Sequence, residues 1–217
     1  MTLPKNKQEL VLFNKQTLHI ITKDQILIFI ALGYFSLYFL ESQIESNIVQ
    51  YMDSFVHEGL TIYGNMLSIS MFIIIVFQPI VTKALNKVGS KKLIAISSLL
   101  YFTGPILFMT SKLPISFYAG IILITFGEMI LAPKLQALVA SIPKNEMKST
   151  YFSIFNMGGN LAYFVGPWFG GIIYSYAGIT PIFLLMSIVA VMGGLFIYKA
   201  NNKLANFKIQ NKNSLEV

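Results

Sequence analysis

The sequence predicts an all-α integral membrane protein with six transmembrane helices. Three observations lead there: long apolar runs recur along the chain, charge is scarce inside them, and lysine marks every second junction between them. Of the 217 residues, 55% are hydrophobic and 12% charged, with a mean hydropathy of +0.66. Soluble domains carry about 25% charged residues. Runs of this length and apolarity span a bilayer as helices, because each closes its own backbone hydrogen bonds; barrel strands are shorter and alternate.

The first span begins at Gln25. Ile26 to Leu40 is only 15 residues, and a span needs about 20, so the helix must run past Glu41. The others are Ile62–Val81, Leu93–Met109, Ile115–Ile142, Tyr151–Tyr176 and Ile182–Tyr198. Thr180 and Pro181 suit the cap and first turn of the sixth helix, and Ser111 to Pro114 makes a tight turn before the fourth. This gives a cytoplasmic segment at residues 1–23, a membrane domain at 24–199 and a cytoplasmic tail at 200–217.

All 16 basic residues are lysine. They gather in residues 1–23, in the loop holding Lys83, Lys87, Lys91 and Lys92, at Lys144 and Lys148, and in the tail. The alternate junctions are poor in lysine; residues 46–61, taken as an outer loop, carry Asp53 and Glu58 and none. The positive-inside rule then puts both termini in the cytoplasm, with the plasma membrane as the expected location. The net charge of +7 is mostly a topology signal, since the lysines are too dispersed to bind nucleic acid. With no cysteine, and with His19 and His57 far apart, neither a disulfide nor a metal site is supported. No nucleophile–base set or phosphate loop points to an enzyme, and no cofactor is called for.

Charged side chains inside a bilayer are costly and face a bundle interior or a wet cavity. They occur on two spans. On the first, Tyr34, Tyr38, Glu41 and Glu45 follow at intervals of 4, 3 and 4, within about 60° of one another on a helix. They form an aromatic and acidic stripe, a candidate wall of a substrate cavity; the alternative leaves Glu41 and Glu45 solvated near the outer boundary. On the fourth span, Glu128 is the candidate for proton coupling, the alternative being a neutral carboxyl bonded to a neighbouring helix. Lys134 lies about 120° round from it, so the two are not an adjacent pair. Lys134 either joins the cavity or snorkels to the cytoplasmic interface. Pro133 has no N–H for the carbonyl of Met129, which predicts a kink.

The fifth span reads FNMGGNLAYFVGPWFGGIIY. Gly158, Ala162, Gly166 and Gly170 recur every four residues and make a smooth stripe for close helix contact. Pro167 and Gly171 follow in the same stretch.

The stretch GPWFGG, from Gly166 to Gly171, resembles the end of the antiporter motif of the major facilitator superfamily, Gly-Pro-x-x-Gly-Gly; the earlier motif glycines fall on Ser153 and Ala162. The loop TKALNKVGSKKLI resembles the superfamily's signature between the second and third helices of a half. Gly89 and Lys91 match it, while Asn86 stands for the aspartate, Lys87 for the first arginine and Ser90 for the second, a decay that looks like the C-terminal half's copy. The stretches around Glu41 and Glu128 are similar to the seventh and tenth helices of multidrug-type members. The resemblance covers roughly residues 20–200. It implies one six-helix half of a twelve-helix transporter, built from two inverted three-helix repeats, with the first helix of each triplet lining the cavity. Tyr63 and Pro79 are spaced as Tyr151 and Pro167 are, as a repeat would have it.

The resemblance further implies alternating access, a small-molecule substrate, and a second six-helix half or a second copy as partner within the lipid bilayer. Residues 1–23 read as the end of a central loop. The leading expectation is proton-coupled efflux of drugs or small metabolites. The alternatives are half of a proton-coupled peptide symporter, whose tenth helix also carries a glutamate five residues before a proline, and a non-transporting membrane scaffold.

Overall fold

The computed structural model describes residues 23–142 and 147–213. Six helical rods fill them: α1 (Gln25–Phe55), α2 (Gly59–Leu85), α3 (Ser90–Thr110), α4 (Pro114–Ala140), α5 (Lys148–Ala177) and α6 (Thr180–Asn213). Five are long and apolar enough to cross a membrane. The exception is α5, whose glycine, asparagine, serine and tyrosine content dilutes its hydropathy.

The first rod is longer than the sequence suggested. Asp24 caps it, its Oδ1 accepting the N–H groups of Ile26 at 2.9 Å and Leu27 at 3.2 Å. The helix runs to Gln43, widens into a π-helical turn at Ile44–Ile48, and resumes as Val49–Phe55. Most of the stretch taken as an outer loop is therefore helix, and the break is confined to Val56, His57 and Glu58. Glu58 adopts φ 54°, in the left-handed region, and Gly59 then passes so close to Met52 that a Cβ would run into its carbonyl. A glycine is needed there for the reversal to be this tight.

At the other end of the chain, α6 continues through residues 200–213 as helix. It begins at Thr180, and its first carbonyl acceptor is Ile179, which receives the N–H groups of Ile182 and Phe183. Thr180 is thus inside the first turn rather than capping it.

The packing repeats in inverted order. Helix α1 packs against α5 and α6; α4 packs against α2 and α3; α3 and α6 pack against each other. Exchanging α1 with α4, α2 with α5 and α3 with α6 leaves this set of contacts unchanged, as two inverted triplets require. Close backbone crossings obey the same exchange. A Cβ on Gly33 of α1 would lie 3.3 Å from the carbonyl of Gly193 on α6, and one on Gly120 of α4 would lie 2.7 Å from that of Gly104 on α3. Small residues at both crossings bring helix backbones together where lipid supplies no hydrophobic drive.

The junctions also sort. Asp24, Gln25, Ser90, Ser141, Tyr151 and Lys203 meet at one end of the bundle: the Tyr151 hydroxyl donates to Asp24 Oδ2 at 2.7 Å, Lys203 donates to Gln25, and one cavity is lined by Ser90, Ser141 and Asn201. This is the lysine-rich end. Phe55, Gly178 and Ile179 lie at the other.

Candidate functional site

Both intramembrane glutamates sit at the centres of their helices. Glu41 is one residue past the midpoint of α1 and Glu128 one residue past the midpoint of α4. The reading that placed Glu41 near the outer boundary went with a shorter first span; with the helix running to Phe55, Glu41 lies near its middle. The inverted repeat carries the two residues into equivalent places, and they line one small cavity of ≈ 20 Å³ with Tyr34, Leu37, Tyr38, Tyr101, Ala132 and Leu135. That is room for about one water molecule. Glu41 Oε1 is buried and, among the described residues, has no hydrogen-bond partner.

The other residues of the predicted stripe separate here. Glu45 falls in the π-helical turn, is exposed, and accepts a hydrogen bond from the Tyr163 hydroxyl of α5 at 3.2 Å. Tyr34 stacks on Phe155 with ring centroids 3.9 Å apart, and Tyr38 meets Tyr163 edge-on at 5.6 Å. An aromatic wall thus joins α1 to α5 beside the carboxyls. Lys134 is placed elsewhere: it lines two spaces near the lysine-rich end, one with Asn86 and Val88, the other with Ser90 and Ser141.

Pro133 leaves the carbonyl of Met129 without its helical donor. Gln78 of α2 supplies one, its Nε2 donating to Met129 O at 3.0 Å. This satisfies, next to Glu128, a backbone group that lipid could not.

The small-residue stripe of α5 lies against α1. A Cβ on Gly158 would sit 2.6 Å from the carbonyl of Ala31; Ala162 is fully buried; side chains on Gly166 and Gly170 would run into Ser42 and Gln43. Across this contact the buried Gln43 donates from Nε2 to Gly166 O at 2.9 Å and accepts at Oε1 from Asn47 Nδ2 at 2.8 Å. Asn47 also donates to Pro167 O at 3.5 Å, and Gly171 lies beside its amide oxygen.

Of the loop residues, Asn86 ends α2 and Gly89 precedes α3, its carbonyl accepting from Lys92 and Leu93. Lys87 is exposed, and the Lys91 ammonium stands 5.7 Å from the centre of the Tyr198 ring.

Sequence reasoning missed Tyr101, Tyr163, Gln43 and Asn47. The two amides carried a signal: polar residues four apart inside an apolar helix share a face, and such residues in lipid seek another helix. The two tyrosines carried none, since tyrosine is common in membrane spans.

The profile of the Major Facilitator Superfamily matches residues 30–213. An uncharacterized MFS-type transporter, YttB of Bacillus subtilis (strain 168), is 22% identical over 168 residues, covering 76% of this chain and 42% of its own length. Among solved structures, a mutant of the peptide transporter POT in complex with sulfate superposes with a TM-score of 0.65 at 22% identity, over 82% of this chain and 38% of the other. The chain therefore spans less than half the length of these relatives, and at this identity the structural likeness speaks for the fold alone. The fold is that of half a transporter of this kind, in a family of transporters rather than enzymes. With its profile matched across nearly all of the six helices, the chain belongs to the Major Facilitator Superfamily.

Proposed function

We propose that this multi-pass membrane protein is the C-terminal six-helix half of a twelve-helix transporter. It works by alternating access and exports drugs or small organic metabolites against an inward proton movement. Glu128 carries the coupled proton; Tyr34, Tyr38, Glu41 and Glu45 belong to the side of the cavity this half supplies, while Lys134 lies nearer the lysine-rich end. The lysine-rich end faces the cytoplasm of a plasma-membrane protein, and Asn86, Lys87, Gly89 and Lys91 form the second half's form of the family loop.

The observation that carries this reading is the placement of both intramembrane carboxyls, at helix centre, on the first helix of each inverted triplet. An acidic or basic side chain at the centre of a spanning helix costs on the order of 3 kcal/mol. Two at equivalent positions of a repeat are tolerated where they serve a cavity between halves.

Single cysteines at Tyr38 and Ala132, in a chain without native cysteine, test the partnership. Co-expressed with a matching N-terminal half, both should cross-link to it, and transport should require both halves. Transport by a monomer whose two positions react only with lipid-soluble probes contradicts the reading.

A further inference from the structure

We propose that the lysine-rich end of the bundle holds a phospholipid-headgroup site, a cleft between α3, α4 and α6 in which Lys134 binds the phosphate of an anionic lipid from the adjoining leaflet. All the lining residues belong to this chain, so the site needs no second half and stands or falls apart from the transport reading.

The depth of Lys134 is the first ground. It lies seven residues past the midpoint of α4, about 10 Å along the axis. With that midpoint at mid-membrane, its backbone is inside the hydrocarbon layer, whose half-thickness is about 15 Å. An ammonium rooted there must climb to the headgroup level or meet an anion.

The cleft is the second. It measures ≈ 300 Å³ and is lined by Lys134, Ser90, Ser141, Asn201, Leu138 and Leu204 among others, at the lower end of ligand-sized cavities, roughly 300–1,000 Å³. Ser90 opens α3 and Ser141 follows the last turn of α4, so both mark where their helices leave the apolar layer. The third wall comes from α6. This helix continues beyond Tyr198, and Ala200 and Leu204 stay buried, which holds the extension against the bundle and brings Asn201 to the cleft.

Chemistry selects the ligand. Ser141 donates its hydroxyl proton to Leu138 O at 2.9 Å, which leaves Lys134, Ser90 and Asn201 as donors. Among the described residues no carboxylate lines the cleft, and Asp24, the described carboxylate at this end, is engaged by the first turn of α1 and the Tyr151 hydroxyl. Lys91, Lys92, Lys199 and Lys203 lie at the same end and add to its positive field. Basic pockets between membrane helices on the cytoplasmic side take anionic headgroups, and the lysine pattern assigns this end to that side. Leu138 and Leu204 suit the apolar stem that a lipid has and a free phosphate lacks. Lys134 also borders a space of ≈ 220 Å³ against α2, but its lining is mainly apolar.

The test uses the full chain in nanodiscs of phosphatidylcholine, with and without phosphatidylglycerol, and native mass spectrometry to count the lipids retained. The parent should keep phosphatidylglycerol in preference to phosphatidylcholine. Lys134→Gln should lower that preference about tenfold or more, the worth of a hydrogen bond to a charged group. Lys134→Arg should keep it, which guards against a folding defect. Ala137→Phe narrows the cleft, leaves the lysine, and should lower the preference as far. Lys92→Gln, on the exposed surface of the same end, should cost no more than roughly the fivefold of one surface lysine. An unchanged preference in Lys134→Gln overturns the proposal. An equal loss in Lys92→Gln does so too, since it would mean a diffuse surface field. Inorganic phosphate that raises the unfolding temperature of the parent in pure phosphatidylcholine, but not that of Lys134→Gln, would give the cleft to a soluble anion and overturn the lipid assignment.

Discussion

Equivalent contacts in the two triplets are built to different standards. Between α1 and α5 a stripe of small residues lies flush against the partner helix, and Gln43 and Asn47, both buried, tie α1 to the carbonyls of Gly166 and Pro167. Between α4 and α2 the corresponding ties are the Thr125–Ser70 hydroxyl pair at 2.9 Å and Gln78 to Met129. Both outer helices leave large apolar side chains exposed, α2 its Ile75 by 76% and α5 its Phe164 by 81%, so the difference lies in the polar ties. One repeat-related contact is locked by a polar clasp beside a π-helical turn, a feature common at functional sites. The other holds a helix by one edge. A symmetric plan thus carries an asymmetric set of polar ties.

The comparison can be broken most severely at Gly166. Leucine there would meet Ser42 and Gln43 and force α5 away from α1, and overpacking costs about 1–3 kcal/mol. Thermal unfolding in detergent should show the largest loss of this series. A parental unfolding temperature would mean that the stripe does not bear on α1. Gln43→Leu comes next. It removes the donor to Gly166 O and the acceptor for Asn47, with an expected loss of about 1–2 kcal/mol in the same assay. Equal stability would mean that the clasp adds nothing to the packing. The smallest effect belongs to Gln78→Leu, about 0.6 kcal/mol, typical of a hydrogen bond between membrane helices. A loss equal to that of Gln43→Leu would erase the difference between the two contacts.

The six helices, the lysine pattern and the stripe on α5 could be read from the sequence because each rests on local periodicity or composition. Glu128 was equally legible, since its span has apolar turns on both sides. Glu41 was legible as a cavity candidate but not as a helix centre. Its helix continues through SNIVQYMDSF, which reads as the start of an outer loop until Asn47 is seen to be satisfied by α5. A tertiary contact, invisible to periodicity, turned an apparent boundary into a helix centre. The cavity was out of reach for the same reason: it needs Tyr101 from α3, and no local pattern places that ring beside two carboxyls.

The coupling role of Glu128 meets its sharpest trial in the reunited transporter. Glu128→Gln keeps the size of the side chain and mimics its protonated form, so insertion and unfolding temperature should stay parental while transport driven by a pH gradient is lost. Equal pH-driven transport in variant and parent would remove Glu128 from the mechanism.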